Sequence, residues 1–412
     1  MRRHTLLVAA IAAILIPLAP LGAQAQDFAA FFSNGVDFVD EANRVCLGDG
    51  MGGFTCSDVS MDTNTTLDVA LGDVNGDAYL DAVFANGLDI SQANRVCLGD
   101  GMGGFTCSDI SMDANETAGV ALGDVNGDAN LDAVFATGFF SAEENRVCLG
   151  DGTGGFTCSA VSADTNFTLN VALGDVNGDA NLDAVFANAG GATNRVCLGD
   201  GMGGFTCSDV SMDTNISLGV ALGYVDGDAN LDAVFANGGL TTEANQVCLG
   251  DGTGGFTCSD VSLDNNDSAG VALGYVDGDA NLDAVFANGL FVTETNRVCL
   301  GDGMGSFTCS DVSTDTNETF EVALGDVNGD ASVDAVFANF GQVNRVCLGD
   351  GTGGFTCSDV NSDTNFTTGV ALGKLIVAAP SVVEVPTLTV WGLLALSVFL
   401  ALVACRKIRL PQ

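Results

Sequence analysis

The stretch ALGDVNGDAYLDAVFAN, residues 70–86, decides the fold because near-identical copies of it recur along the chain. Each copy holds a nine-residue loop between two apolar runs that are typical of β-strands. The loop carries acidic or amide side chains at positions 1, 3, 5 and 9, a spacing that wraps oxygen ligands around a hard cation such as calcium. The five further copies begin at Ala121, Ala172, Ala221, Ala272 and Ala323.

A repeat unit of about 50 residues surrounds each copy, which is the period of a propeller blade or a similar array. Each unit contains four short strand-like segments: VALG, LDAVFAN, NRVCLG and FTCSDV. Helical periodicity is absent, and Gly-rich turns separate the segments at the intervals expected of a small antiparallel sheet. The pattern therefore predicts an all-β fold made of four-stranded units, as in a β-propeller.

The two ends of the array predict how it closes. The repeats begin at Asp27 with segments two to four and end, from Thr368, with a lone first segment, TGVALGKLIV. Pairing of this last segment with DFAAFF at the other end would remove an open sheet edge. We therefore expect a seven-bladed β-propeller over residues 27–378, closed by its N- and C-terminal strands. A linear solenoid of β-hairpins is the alternative.

The charge of the chain excludes some partners. All 53 acidic residues of the 412 lie between residue 27 and Glu384, and only seven basic residues lie there with them. So negative a field repels nucleic acid and anionic lipid and attracts cations. We expect no binding of nucleic acid.

Both termini carry targeting features. Arg2 and Arg3, an apolar run and Ala23-Gln24-Ala25 predict a signal peptide over residues 1–25. An N-terminal membrane anchor is the alternative, although two prolines interrupt the run. After a linker over 379–386, the apolar residues 387–405 predict a transmembrane helix, and the basic residues of 406–412 predict a cytoplasmic tail.

Fourteen of the fifteen cysteines form pairs ten residues apart on either side of a Gly-rich turn. A hairpin centred on Met51 would place Cys46 opposite Cys56, which predicts one cross-strand disulfide in each unit. Buried free thiols are the alternative, and the spacing does not suit zinc. The pairs are Cys46 and Cys56, Cys97 and Cys107, Cys148 and Cys158, Cys197 and Cys207, Cys248 and Cys258, Cys299 and Cys309, and Cys347 and Cys357.

The repeated pattern VALGDVNGD-xxxD-AVFAN resembles the FG-GAP or VCBS repeat family, known from the propeller heads of integrin alpha chains and from bacterial surface proteins. The resemblance implies calcium bound between the first two strands of a unit, with up to six structural ions in all. It implies these side-chain ligands: Asp73, Asn75, Asp77 and Asp81; Asp124, Asn126, Asp128 and Asp132; Asp175, Asn177, Asp179 and Asp183; Asp226, Asp228 and Asp232; Asp277, Asp279 and Asp283; Asp326, Asn328, Asp330 and Asp334. The backbone carbonyl of position 7 would complete each site, at Tyr79, Asn130, Asn181, Asn230, Asn281 and Ser332.

Two departures from the family pattern weaken these sites. Alanine stands at position 6 where the family has glycine, and if that position needs a positive φ the alanine costs on the order of 1 kcal/mol. In the fourth and fifth loops Tyr224 and Tyr275 replace the first aspartate, so we expect weaker or partial occupancy there. The alternative is that all six loops are acidic turns.

The C-terminal segment is similar to the IPTL-CTERM sorting signal, through residues 385–388 (VPTL), Trp391 and Gly392. This resemblance implies a bacterial envelope or cell-surface protein, with a sorting peptidase as one possible partner. An ordinary C-terminal membrane anchor is the alternative.

An enzyme is not expected, because the repeat region contains no histidine and its acidic residues recur once per unit without forming a unique pair. We expect a non-catalytic adhesion or protein-interaction module whose partner is an extracellular protein or glycan. The loops between the second and third segments differ most between units, and they carry Phe139, Phe140, Leu290 and Phe291 as a candidate partner-binding patch. A calcium-dependent, lectin-like propeller is the alternative function.

Overall fold

The computed structural model describes residues 28–35, 41–87, 92–111, 115–139, 141–239, 243–290 and 293–374. This part of the chain contains 27 strands and no helix. The chain divides into two compact units, Met1–Ile376 and Val377–Gln412, and every described residue lies in the first. The predicted signal peptide, linker, transmembrane helix and basic tail all lie outside the described residues.

The four predicted segments of each repeat are strands, which we call first to fourth strands in chain order. The second strands are β1 (Ala29–Asn34), β5 (Asp81–Asn86), β9 (Asp132–Thr137), β12 (Asp183–Ala189), β16 (Asp232–Asn237), β20 (Asp283–Asn288) and β24 (Asp334–Asn339). The third strands are β2 (Arg44–Gly48), β6 (Arg95–Gly99), β10 (Glu143–Gly150), β13 (Arg195–Gly199), β17 (Gln246–Gly250), β21 (Arg297–Gly301) and β25 (Arg345–Gly349).

The first and fourth strands form the two sides of each unit. The first strands are β4 (Thr66–Gly72), β8 (Thr117–Gly123), β15 (Ser217–Gly223), β19 (Ser268–Gly274), β23 (Thr319–Gly325) and β27 (Thr367–Gly373). The fourth strands are β3 (Phe54–Asp58), β7 (Phe105–Asp109), β14 (Phe205–Asp209), β18 (Phe256–Asp260), β22 (Phe307–Asp311) and β26 (Phe355–Asp359). One long strand, β11 (Phe156–Gly174), supplies a fourth strand at its start and a first strand at its end.

Neighbouring strands are antiparallel and follow the order first, second, third, fourth. The predicted pairing of the two ends is present, because β27 pairs with β1 in the sheet β27-β1-β2-β3, with Phe31 opposite Ala371. Four further sheets have four strands each. The sixth has seven strands, because β11 runs without a break through the predicted polar connection and joins two repeats. Pairing of Glu143 with Asn166 extends β10 alongside that connection.

The core lies between neighbouring sheets. Each second strand is buried along its length, and its phenylalanine, such as Phe186, packs against valines of the preceding unit, such as Val134 and Val147. Burial of each such ring contributes about 2–3 kcal/mol. The first strands contact one another in succession around the array, and β27 contacts β23 on one side and β4 on the other.

The seven predicted disulfides are confirmed. In every third-to-fourth-strand hairpin the two cysteines are direct cross-strand partners, and their Cα atoms lie 3.8–3.9 Å apart. Each hairpin turn is held by an aspartate such as Asp100, whose Oδ1 accepts hydrogen bonds from the Met102 and Gly104 amides at 2.8 and 2.9 Å. Each of these outer hairpins is therefore closed covalently and by hydrogen bonds.

A chain of buried polar side chains links the units to one another. Asn43 donates through Nδ2 to the Thr66 hydroxyl of the next unit at 3.0 Å, and that hydroxyl donates to Asn86 Oδ1 at 2.7 Å. Asn86 in turn donates through Nδ2 to the Ala93 carbonyl at 2.9 Å. These hydrogen bonds explain why a serine or threonine recurs at this position in every unit: its hydroxyl is a buried structural group.

Candidate metal loops

The six acidic loops connect first strands to second strands, and the loops that begin with aspartate share one geometry. Asp73 Oδ1 accepts the amides of Gly76 and Asp77 at 2.7 and 3.1 Å, and its Oδ2 accepts the Ala78 amide at 2.8 Å. Asp77 Oδ1 accepts the Tyr79 amide at 2.8 Å. The same bonds recur in the loops that begin at Asp124, Asp175 and Asp326.

The alanine at position 6 of these four loops adopts a left-handed backbone conformation. The φ of Ala78, Ala129, Ala180 and Ala331 is 70°, which is costly for a residue with a Cβ atom. The hydrogen bond from the alanine amide to the first aspartate holds the backbone in this conformation. The condition under which the alanine would weaken a site, a positive φ at position 6, is met in these four loops.

The two loops that begin with tyrosine differ. Ala229 and Ala280 are not among the described residues with a positive φ, and the side chains of Tyr224 and Tyr275 are 53% exposed. Within these loops Asp226 accepts the Asp228 amide, and Asp277 accepts the Asp279 amide, both at 3.0 Å. Without a first carboxylate to accept the alanine amide, the backbone does not adopt the strained conformation.

The aspartate at position 9 is completely buried in all six loops. Asp81 accepts the Val74 amide through Oδ2 at 2.9 Å and the Gly99 amide of the neighbouring strand through Oδ1 at 2.8 Å. Burial raises its pKa, the two amides lower it, and the charges of Asp77 and Asp73 raise it further. The carboxylates of one loop therefore lie close enough to repel one another, and the loop has no basic side chain to balance them.

Three of the six acidic loops also accept a hydrogen bond from the hairpin turn of the following unit in the described structure. The Val125 carbonyl accepts the Gly203 amide at 3.3 Å, and the Val225 carbonyl accepts the Gly305 amide at 3.2 Å. Within a unit, the position-7 side chain lies over the hairpin turn, so that a Cβ added to Gly101 would lie 2.4 Å from the Tyr79 ring. The acidic loops thus lie at the boundary between neighbouring units.

The donor types in these loops, aspartate carboxylates, asparagine amides and backbone carbonyls, are those that a hard cation prefers. In the residues that the structure describes, however, no three His, Cys, Asp or Glu side chains surround a common point as metal ligands. Their oxygens are bonded instead to backbone amides of the same loop. A cation would have to share those oxygens with the amides, as each carboxylate oxygen has a second lone pair.

The candidate partner-binding patch is only partly described. Phe139 and Leu290 are half-buried rather than fully exposed, and Phe140 and Phe291 lie outside the described residues. A different aromatic group is fully described: the rings of Phe320 and Phe340 stack with centroids 4.9 Å apart, and Phe366 meets Phe340 edge-on at the same distance. All three are half-buried, and Phe340 belongs to one of the variable loops.

Two acidic residues do not recur in every unit. Asp68 on β4 and Glu321 on β23 occupy the same position of their units, and the other five first strands have glycine or asparagine there. The available signal is the residue immediately before each VALG run, which varies between units whereas the VALG run itself does not. Which of these positions meet one another depends on how the sheets pack.

Among the described residues, no helix has the length and apolar character needed to cross a membrane.

Comparison with known proteins identifies the C-terminal segment. Residues 385–410 match the IPTL-CTERM motif, as predicted. The motif indicates a C-terminal sorting signal for export to the cell surface. No curated protein is similar to the chain at a significant level.

Two solved structures are similar to this chain over most of its length. One is a lectin from Agrocybe aegerita, solved to explain its specific recognition of non-reducing terminal N-acetylglucosamine, with 17% identity, a TM-score of 0.57 and coverage of 86% of this chain and 96% of the lectin. The other is a protein from Lactobacillus plantarum, with 13% identity, a TM-score of 0.65 and coverage of 84% and 99%. At these identities the likeness shows the fold alone. The fold is an all-β array of repeated strands, and the solved structures similar to it are propeller-like.

Proposed function

We propose that the chain is an exported, surface-displayed, calcium-binding β-propeller of seven blades that acts as a non-catalytic adhesion or protein-interaction module. The FG-GAP/VCBS resemblance of its repeats, the pairing of β27 with β1 and the unbroken succession of contacting first strands support this architecture. The IPTL-CTERM match supports display at the cell surface.

The observation that carries the calcium proposal is the strained alanine in the four aspartate loops. A φ of 70° at Ala78 costs free energy, and it brings the first aspartate against the backbone of its own loop, close to Asp77 and the buried Asp81. Strain and mutual repulsion of carboxylates are both offset when a divalent cation binds among the oxygens. The loops at Tyr224 and Tyr275 have one ligand fewer and would bind calcium more weakly.

Calcium would stabilise the ring rather than take part in chemistry. Three of the loops accept a hydrogen bond from the hairpin turn of the following unit, so an ion that fixes such a loop also fixes that boundary. Variable loops at the opposite ends of the second strands would then be presented by a rigid ring. We assign partner binding to those loops, because their sequences differ most between units.

Thermal unfolding of the oxidised full chain by calorimetry tests this proposal. We expect the midpoint to rise in millimolar calcium and to fall back with a chelator, since a ligand at about 100 times its Kd adds about 2.7 kcal/mol per site. The double variant Asp73→Asn, Asp124→Asn should lose part of the rise. The matched control is Tyr224→Phe, which removes no ligand and should keep it. An identical midpoint with calcium and with chelator would show that the loops are acidic turns.

The stacked phenylalanines favour carbohydrate binding as a second candidate function. Sugar rings pack on exposed aromatic faces, and Phe340 lies in a short variable loop beside Phe320 and Phe366. We expect Phe340→Ala to reduce glycan binding at least tenfold, measured on an array of glycans in calcium. Met212→Ala, which shortens an exposed side chain outside the variable loops, is the control. Equal binding by wild type and Phe340→Ala would exclude this group as a sugar site.

A further inference from the structure

A seven-residue connection leads from each fourth strand to the first strand of the next unit, and an aspartate recurs at its centre. In at least five units an arginine of the third strand lies 2.7–3.2 Å from this aspartate and also pairs with the last aspartate of the fourth strand. Arg297, for example, donates to Asp264 and to Asp311, both at 2.7 Å. One guanidinium group thus ties the connection to the outer hairpin.

The sheet β15–β18 lacks this arginine. Gln246 stands in its place at the start of β17, directly opposite Asp260 on β18. Its Nε2 donates one hydrogen bond to Asp213 Oδ2 at 3.3 Å, which is long and comes from a neutral donor. Its connection, residues 210–216, therefore has no ion pair at its centre among the described contacts.

The neighbouring sheet β19–β22 is a matched comparison, because its connection, residues 261–267, is anchored in the same way at both ends. The first amide of each connection donates to an asparagine carbonyl, at 2.8 and 2.7 Å. The last amide of each donates to a glutamate side chain, at 2.8 and 3.0 Å. Asp267 also accepts the Gly239 amide through its side chain, which Ile216 cannot do. At the centre, the two connections differ by Arg297 in one and Gln246 in the other.

The connections lie over the disulfides of the outer hairpins. In one unit the side chain of Asn361, within the connection, donates to Cys56 Sγ at 3.2 Å. In another, a small cavity between the connection that begins at Ile110 and the adjacent hairpin is lined by both Cys148 and Cys158. A reagent that attacks a disulfide from this side must therefore pass the connection.

The same arrangement is present where the arginine is missing. Val210, the first residue of its connection, belongs to one buried cluster with Phe235 and Cys248, and Cys258 packs against that cluster. Cys248 is 1% exposed, whereas Cys258 on the edge strand is half-buried. Local opening of the connection would uncover this disulfide without unfolding the sheet.

We propose that the disulfide Cys248–Cys258 is a redox-sensitive site, the first of the seven that a small aminothiol reduces, because its connection opens most readily. The aminothiol's thiolate attacks Cys258 Sγ, the bond between the two cysteine sulfurs breaks, and Cys248 leaves as a thiolate that takes a proton from water. A second aminothiol attacks the mixed disulfide and releases Cys258 as a thiol. The protein gains two electrons, and the two aminothiols are oxidised to one disulfide.

The charge of the chain selects this class of reductant. At a net charge of −41 the chain repels anionic thiols, whereas the thiolate form of an aminothiol carries an ammonium group and has no net charge. Loss of an arginine by itself slows the reaction, since a nearby cation stabilises the thiolate that leaves. Faster reduction at Cys248–Cys258 would therefore have the sign of an opened connection and not the sign of the charge.

Partial reduction of the oxidised full chain by cysteamine, with chelator present, tests the proposal. Free thiols are trapped with iodoacetamide, and mass spectrometry of the hairpin peptides gives a rate for each disulfide. We expect Cys248–Cys258 to be reduced about two to five times faster than Cys299–Cys309, since an ion pair at a protein surface changes an opening equilibrium by up to about fivefold. Equal rates, or a slower rate at Cys248–Cys258, would overturn the proposal.

Reciprocal substitutions identify the cause of the difference. Gln246→Arg should slow reduction of Cys248–Cys258 to the rate of its neighbour, and Arg297→Gln should raise the rate at Cys299–Cys309 by a similar factor. Each variant installs the residue that another unit has at the same position, so both are compatible with the fold. Unchanged rates in both variants would show that the arginine does not control access.

Hydrogen exchange of the wild-type chain measures the opening without a variant or a reductant. We expect the amides of residues 210–216 to exchange faster than those of residues 261–267, relative to their intrinsic rates. Equal or slower exchange in 210–216 would also overturn the proposal.

Discussion

The loop at Asp73 and the loop at Tyr224 have the same length and connect the same kinds of strand, yet their backbones differ. In the first, Asp73 accepts three amides and Ala78 has a φ of 70°; in the second, no such bonds form, and Ala229 is not in the left-handed region. The loops also differ at position 3, where Asn75 corresponds to Asp226, but only the change at position 1 removes the acceptor of the alanine amide five residues later. The comparison distinguishes the hydrogen bonds that the flanking strands determine in a loop from the backbone conformation that the loop's own carboxylates determine.

The flanking strands determine the place of the buried aspartate at position 9, which makes the same hydrogen bonds in both loops. Asp232 accepts the Val225 and Gly250 amides at 2.8 and 2.9 Å, as Asp81 accepts those of Val74 and Gly99. This residue closes the loop and also ties it to the third strand. Its role is structural whether or not a cation is present.

The largest effect is therefore expected at position 9 and should be equal in the two kinds of loop. Asp81→Ala and Asp232→Ala each leave two buried amides without an acceptor, and we expect a loss of about 2–4 kcal/mol in the free energy of unfolding from either. Denaturant unfolding with chelator present measures it. A loss at Asp81 that exceeds the loss at Asp232 by more than about 1 kcal/mol would show that the first aspartate supports the ninth.

Most of the fold could be predicted from the sequence because its determinants are local and repeated. The strand alternation around Cys46 and Cys56 fixes the hairpin register, and the missing first strand before Asp27 predicts the pairing of β1 with β27, which is present. The continuity of β11 could not be predicted, since the connection at residues 161–166 is as polar as its counterparts.

The candidate site was predicted in part, for a similar reason. The hydrogen bonds of Asp73 and the positive φ of Ala78 follow from residues within one loop. The groups that Asp68 and Glu321 face depend on which first strands become neighbours of β4 and β23, and nothing in either repeat specifies that. The contacts of a side chain that faces another unit depend on how the units pack, which the sequence of one unit does not specify.

A smaller effect, of opposite sign in the two kinds of loop, is expected at position 6. Ala78→Gly removes the cost of a left-handed alanine and should stabilise the chain by about 0.5–1 kcal/mol, whereas Ala229→Gly only adds flexibility to the unfolded chain and should destabilise it by a similar amount. Chemical denaturation of both variants in chelator measures the difference. Stabilisation by both substitutions would mean that position 6 is strained in every loop, and that the tyrosine loops differ from the aspartate loops only in their hydrogen bonds.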